Sequence, residues 1–229
     1  MEAKTRSVTD ISFPAARIAI ATAAAALLFL ASLHILSPEF DPSFHMVSEY
    51  ANGHYGWVLA LMFAAWGISS WALAYAIRSQ VGTRAGKIGL GLLIAAGVGE
   101  AMASVFDINH QPLHDIAGYI GILGLPIAAM LISVSLSRTQ PWSAARKALL
   151  WTANLTWMSV VLLAATFIVM ISTFMQSGAK IDTNAIVMTL PTGVIGLVGW
   201  SNRLLVVVYC AWVVTVAWQA IQLQREKSQ

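Results

Sequence analysis

The sequence predicts an all-α membrane protein, with six transmembrane helices forming a single domain over residues 1–229. Of its residues 58% are hydrophobic and only 10% are charged, and its mean hydropathy is +0.73. A soluble domain has roughly 25% charged residues. Six apolar runs are long enough to cross a hydrocarbon core of about 30 Å, which takes about 20 residues. The connections are short, so the runs belong to one bundle.

The six apolar runs give the predicted helices in order. The first run follows Lys4 and Arg6, as in a signal peptide. It is longer than the usual signal core of about 7–15 residues, so we predict an uncleaved first helix. The predicted helices are Ala15–Leu36, Tyr55–Ile77, Ile88–Phe106, Ile116–Leu136, Ala148–Met175 and Trp200–Leu223.

The basic residues predict the orientation of the bundle. All of the 13 lysines and arginines except Lys180 and Arg203 lie in the termini or near the connections between helices 2 and 3 and between helices 4 and 5. Positive residues favour the cytoplasmic side, so we predict that both termini are cytoplasmic. The opposite side receives all five histidines: His34, His45, His54, His110 and His114. We therefore expect the chemistry of the protein on the outer face.

Composition also limits the cellular setting and the partners. The pI near 9.2 indicates cytoplasmic anchoring to anionic membrane lipid, not a nucleic-acid surface. No Gly-rich phosphate loop or basic-aromatic RNA motif is visible. The single Cys210 excludes an internal disulfide and is expected to be a buried structural thiol. A multi-pass protein of the bacterial inner membrane fits these features, and the oligomeric state is left open.

Glu100 and Arg203 are the charged residues predicted to lie inside the membrane. Glu100 precedes Asp107 by seven residues, which places it about 10 Å below the outer end of helix 3. Intramembrane carboxylates are costly and usually have a partner. Arg203 is expected at similar depth in helix 6, so we predict that the two pair directly or through water. A static ion pair between the helices is the structural alternative.

The loop between helices 3 and 4 has the ligand types of a metal site. Asp107, His110 and His114 have the side chains and spacing of a zinc or iron site. Pro112 favours the first helical turn, which would leave His110 before helix 4 instead of beside His114. The alternatives are histidines that only bond loops and cap helices, or that transfer protons without a metal. No cofactor is established, and zinc is one of these alternatives.

The loop between helices 1 and 2 contains Ser48 and Glu49, flanked by His45 and His54 near the membrane surface. Ser48 or Asn52 could cap helix 2. A serine, a histidine and an acid are all present, but no nucleophile elbow accompanies them. The sequence therefore names no reaction.

Several short motifs resemble one family of membrane proteins. They are Ser48-Glu49-Tyr50-Ala51 with Gly56-Trp57, Phe106-Asp107 with His114, and Gly199-Trp200-Ser201-Asn202-Arg203. They resemble the domain-of-unknown-function 998 family of bacterial six-helix membrane proteins over about residues 15–222. The resemblance implies a fold and outward polar residues, but no activity. Ser48, Asp107 and His114 also resemble the Ser, Asp and His that the CREST membrane hydrolases place around a zinc ion. Those hydrolases take further histidines from a late helix, whereas no histidine follows His114 here.

These features predict an outward-facing pocket that binds a lipid headgroup or a small polar ligand. In this interpretation Arg203 contacts an anion and the carboxylates and histidine contact the polar or cationic part. A metal-dependent membrane hydrolase and a proton-coupled transporter using Glu100 are the alternatives, so enzymatic activity is left open. The predicted pocket residues are Ser48, Glu49, Glu100, Asp107, His114 and Arg203.

Overall fold

The described part of the chain forms six long α-helices, as predicted. The structure is a computed structural model that describes residues 11–179 and 187–227. All six helices are long and apolar enough to cross a membrane, and each lies within a few residues of its predicted bounds. They are α1 (Phe13–Leu36), α2 (Gly56–Ile77), α3 (Arg84–Val105), α4 (Leu113–Ser137), α5 (Arg146–Ser177) and α6 (Val198–Lys227). Short 3-10 helices lie at Val47–Asn52 and Gln140–Trp142.

The helices begin and end where the local sequence favours it. The Thr83 side chain caps α3 by accepting a hydrogen bond from the backbone N–H of Gly86, which satisfies one of the free donors of a helix N-terminus. α5 ends at Gly178 in the left-handed conformation, with φ at 68°. Glycine adopts this conformation without a steric penalty. Pro112 immediately precedes α4, so His110 lies before that helix, as predicted.

The helices form a closed ring in chain order. Each helix packs against its sequence neighbours, and α6 packs against both α5 and α1. The α3–α4 contact is especially close at Gly99, where an added Cβ would lie 2.6 Å from the carbonyl oxygen of Ala117. Small residues allow this approach of two backbones in a membrane. Cys210 is fully buried in α6, as predicted.

The two ends of the bundle differ in composition. Hydrogen bonds join the connections at one end of the bundle. The Asn109 side chain donates to Asn52, and the backbone N–H of Gly199, at the start of α6, donates to the carbonyl of Ser43. We call this the histidine end, formed by residues 37–55, 106–112 and the described parts of 178–197. The opposite, basic end carries Arg78, Arg84, Lys87, Arg138, Arg146, Lys147 and Arg225. Lys4, Arg6 and Lys180 lie outside the described residues.

Candidate functional site: a polar-lined cavity near the histidine end

Glu100 is a buried carboxylate in the α3 helix. It lies five residues before the end of α3, about 7.5 Å along the helix axis, and its exposed fraction is 4%. Its Oε2 accepts a hydrogen bond of 2.8 Å from the Ser70 hydroxyl on α2. Its Oε1 is buried without a hydrogen-bond partner in the described part of the chain. An unsatisfied buried acceptor of this kind is uncommon and costly.

Glu100 lies in the wall of a cavity of about 490 Å³ between α2, α3, α4, α5 and α6. This volume is within the range of about 300–1,000 Å³ that is usual for small-molecule sites. Most of the wall is apolar, and the few polar groups lie among small and aromatic residues. The polar wall residues are Ser48, Glu100, Gln111, His114, Asp115, Tyr119 and Asn202.

The cavity opens on the side of the bundle as well as at the histidine end. Gln111 and Asp115 are exposed at the histidine end. Tyr119 of α4 and Phe167 of α5 belong to the cavity wall, yet they are 69% and 44% exposed on the outside of the bundle. Since the outer surface of transmembrane helices faces lipid, we infer that the cavity is open to the hydrocarbon region between α4 and α5.

Arg203 is fully engaged by neighbouring groups and does not form part of the cavity wall. Its exposed fraction is 4%. The guanidinium donates to the imidazole Nε2 of His34, to the phenol oxygen of Tyr50 and to three backbone carbonyls: Pro42, His45 and Gly199. The predicted direct pair between Glu100 and Arg203 is therefore wrong. Arg203 instead fastens the connection between α1 and α2 onto α1 and α6.

Glu49 stabilises the same connection and does not line the cavity. Its Oε2 lies 2.6 Å from the Nδ1 of the buried His45, and its Oε1 accepts the backbone N–H of Met46. The neighbouring Ser48 does belong to the cavity wall. Nearby, the hydrogen bond from the backbone N–H of Ser43 lowers the pKa of Asp41, with smaller contributions from His45 and Arg203.

Asp107, His110 and His114 do not converge on one point, because the two histidines bond different groups. His110 is 59% exposed, and its Nδ1 lies 2.8 Å from Asp107 Oδ1. Partial burial acts to raise the pKa of Asp107, but the hydrogen bonds from His110 and Asn109 outweigh it and hold the pKa below its ordinary value. The Nδ1 of His114 bonds the carbonyl of Phe106, and its ring lies in the cavity wall. Residues 11–179 and 187–227 contain no group of three or more side chains placed to hold a metal, so the zinc alternative gains no support.

Three of the six predicted pocket residues therefore share the cavity: Ser48, Glu100 and His114. Glu49, Asp107 and Arg203 lie outside its wall. The seven-residue spacing from Glu100 to Asp107 assumed a helix that continues to the end of this stretch, but α3 ends at Val105 and Asp107 lies in the connection after it.

The cavity residues that sequence reasoning missed include Trp66 and Asn202. The Trp66 indole N–H is buried without a partner, and Asn202 accepts the backbone N–H of Val47. An Asn inside an apolar run is a polar signal that could have identified Asn202. Nothing in the sequence distinguishes Trp66 from the other tryptophans.

The fold and the site define an integral membrane protein with six spanning helices and a cavity that contains a buried carboxylate. A family described as "Protein of unknown function (DUF998)" matches residues 19–219. The match covers most of the chain, and the protein belongs to this family, as its motifs predicted. Comparison with curated proteins and with solved structures gave no match.

Proposed function

We propose that the protein binds a membrane lipid or a related amphiphile in the cavity, with its hydrocarbon chain between α4 and α5 and its polar end toward Glu100. One observation carries the proposal: Glu100, whose Oε1 is buried without a partner in the described part of the chain, lies in the wall of a mostly apolar cavity whose α4 and α5 residues are partly exposed on the outside of the bundle. Intramembrane carboxylates without a structural partner are functional-site candidates. Predominantly apolar pockets with a few polar groups are typical ligand sites.

The geometry favours an amphiphile over a purely polar solute. A small hydrophilic ligand would leave most of the apolar wall in contact with its polar surface, which is unfavourable. A hydrocarbon chain between Ile122 of α4 and Phe167 of α5 would contact apolar wall while its polar end lay at the level of Glu100. Ser48 and His114 provide further polar contacts near the histidine end.

The hydrolase and transporter alternatives have less support. Asp107, His110 and His114 do not converge, and Glu100 is the only carboxylate among the buried side chains of the described residues. A proton path needs a chain of exchangeable groups, which a single buried carboxylate does not supply. Binding is therefore the function that the cavity supports best.

A substitution that fills the cavity tests the proposal. A Cβ added at Gly118, in the cavity wall, meets nothing within 4 Å, so a leucine there can enter the cavity without a clash. Gly118→Leu in lipid nanodiscs should weaken saturable binding of radiolabelled dodecanol, dodecylamine or dodecanoate, whichever the wild type binds, by about tenfold or more.

Gly91→Leu is the matched control, because a Cβ at this glycine also meets nothing within 4 Å and Gly91 is exposed on α3. Both substitutions replace a helical glycine by leucine, so their effects on helix propensity are equal. Unchanged binding in Gly118→Leu, or equal loss in both variants, would refute the cavity as the binding site.

A further inference from the structure

Two residues of the cavity wall carry buried polar atoms without a hydrogen-bond partner in the described part of the chain. They are Oε1 of Glu100, which a ligand hydroxyl can bond, and Nε1 of Trp66, a donor without an acceptor. Both residues belong to the same cavity wall. The indole N–H can only donate, so only a ligand that offers an acceptor can satisfy it.

The two residues approach the cavity from adjacent helices. Trp66 precedes Ser70 by four residues in α2, so the two share one helix face, and Ser70 donates to the other oxygen of Glu100. The Trp66 ring also contacts Tyr209 of α6 edge to face, with the ring centroids 6.0 Å apart. Trp66 and Glu100 are thereby held on neighbouring parts of one wall.

The charge of the wall disfavours an anionic ligand. Two carboxylates, Glu100 and Asp115, belong to the wall, and no lysine or arginine does among the described residues. Arg203 is committed to five acceptors. A phosphate or carboxylate group would therefore meet two acidic side chains without a lysine or arginine to compensate its charge, which costs affinity.

From this arrangement we infer that the ligand is an uncharged amphiphile whose polar end is a hydroxyl group. A hydroxyl donates one hydrogen bond and accepts others, so one group can donate to Glu100 and accept from Trp66. An ammonium group could donate to Glu100 but could not accept from Trp66. A trimethylammonium group could do neither. The inference rests on the proposed function, because it names the ligand class of that same cavity.

Four probes with the same hydrocarbon chain and different polar ends test this inference: dodecanol, dodecylamine, dodecyltrimethylammonium and dodecanoate. Saturable binding of each is measured to the full-length protein in nanodiscs. We expect dodecanol to bind most tightly, dodecylamine less tightly, and the other two most weakly. In Glu100→Gln, dodecanoate should gain affinity, because an acidic side chain is removed from the wall and the amide can donate to the carboxylate.

Trp66→Phe tests the indole donor directly. It keeps an aromatic ring and removes the N–H, so dodecanol should bind about threefold to tenfold more weakly, while dodecyltrimethylammonium binding should not change. The matched control is Trp71→Phe, because the Trp71 indole donates to the carbonyl of Ile94 and lies outside the cavity wall. That variant should bind dodecanol as the wild type does.

The outcomes separate this inference from the proposed function. Saturable binding of all four probes with equal affinity, tightest binding of dodecylamine or dodecanoate, or a Trp66→Phe variant that binds dodecanol unchanged would overturn the hydroxyl assignment and leave the cavity as an amphiphile site. Absence of saturable binding by any probe would overturn both.

Discussion

At the scale of single residues, the structure assigns different roles to the two intramembrane charges. Glu100 is the buried carboxyl group of the cavity wall, and Arg203 joins α1, α6 and the connection between α1 and α2. The sequence could show that both lie inside the membrane, because each interrupts an apolar run. It could not show their partners. Arg203 is satisfied by backbone carbonyls and by His34 and Tyr50, and backbone acceptors carry no side-chain signature.

A double-mutant cycle tests these separate roles. Arg203→Met leaves several buried acceptors unsatisfied, so it should lower the free energy of unfolding by about 3 kcal/mol or more, at about 1–3 kcal/mol per acceptor. Glu100→Gln keeps the size of the side chain and an acceptor for Ser70, and Glu100 has no ionic partner in the described structure, so this substitution should not lower stability. Because the two side chains share no hydrogen-bond partner, the double mutant should be additive within about 0.5 kcal/mol. Unfolding in detergent measures this, and recovery in the double mutant would show that the two side chains are coupled.

The metal alternative predicts a different response at Asp107 and His114. Zinc bound only by the folded state would raise the melting temperature by mass action. Since His114 bonds the Phe106 carbonyl and Asp107 bonds His110 and Asn109, we expect no zinc-dependent rise. Thermal unfolding with and without zinc checks this in the wild type, His114→Ala and Asp107→Asn. A zinc-dependent rise in the melting temperature of the wild type that is absent from both variants would support a metal site at Asp107 and His114.

At the scale of helices, hydropathy predicted the elements, while packing selected the face that each helix presents to the cavity. The predicted bounds lie close to the observed ones because a helix in a bilayer must satisfy its backbone internally over the whole hydrocarbon thickness. The small residues Ala95, Gly99 and Ala103 of α3 lie four apart, a spacing that favours a close helix contact, and Gly99 makes such a contact with α4. The opening of the cavity between α4 and α5 could not be predicted in this way, because no sequence pattern marks where neighbouring helices separate.

Gly99 is where the α3–α4 packing can be tested. A Cβ there would lie 2.6 Å from a backbone oxygen of α4, and backbone cannot move aside as a flexible side chain can. Gly99→Ala should therefore lower the free energy of unfolding by about 1–3 kcal/mol. Gly91→Ala on the same helix meets nothing within 4 Å and should be neutral or stabilising. Equal stability of the two variants would contradict the close α3–α4 contact.

At the scale of the whole molecule, the described part of the chain has three connections, and the histidines within them, at one end and its lysines and arginines other than Arg203 toward the other. The division follows from six consecutive spans, so the sequence predicted it directly. That the basic end is cytoplasmic stays a prediction from the positive-inside tendency. If it is correct, the cavity lies in the outer half of the membrane.

Cysteine labelling in intact cells tests this orientation. The native Cys210 is fully buried, so its background reaction with a membrane-impermeant thiol reagent should be low. Arg84→Cys and Ser143→Cys, both exposed at the basic end, should not be labelled. Glu39→Cys, exposed at the histidine end, should be labelled. The reverse pattern would place the cavity in the cytoplasmic half.

The central claim is that an amphiphile lies in the cavity with its hydrocarbon chain between α4 and α5. Locating that hydrocarbon chain in the bound state tests it most directly. Dodecanol carrying a photoreactive diazirine on its chain is irradiated with the protein in nanodiscs, and the adducts are mapped by mass spectrometry. The account predicts saturable labelling concentrated on cavity residues such as Ile122 and Phe167, and its loss in Gly118→Leu. Labelling spread evenly over lipid-facing residues such as Ile88 and Trp218, with no change in Gly118→Leu, would contradict it.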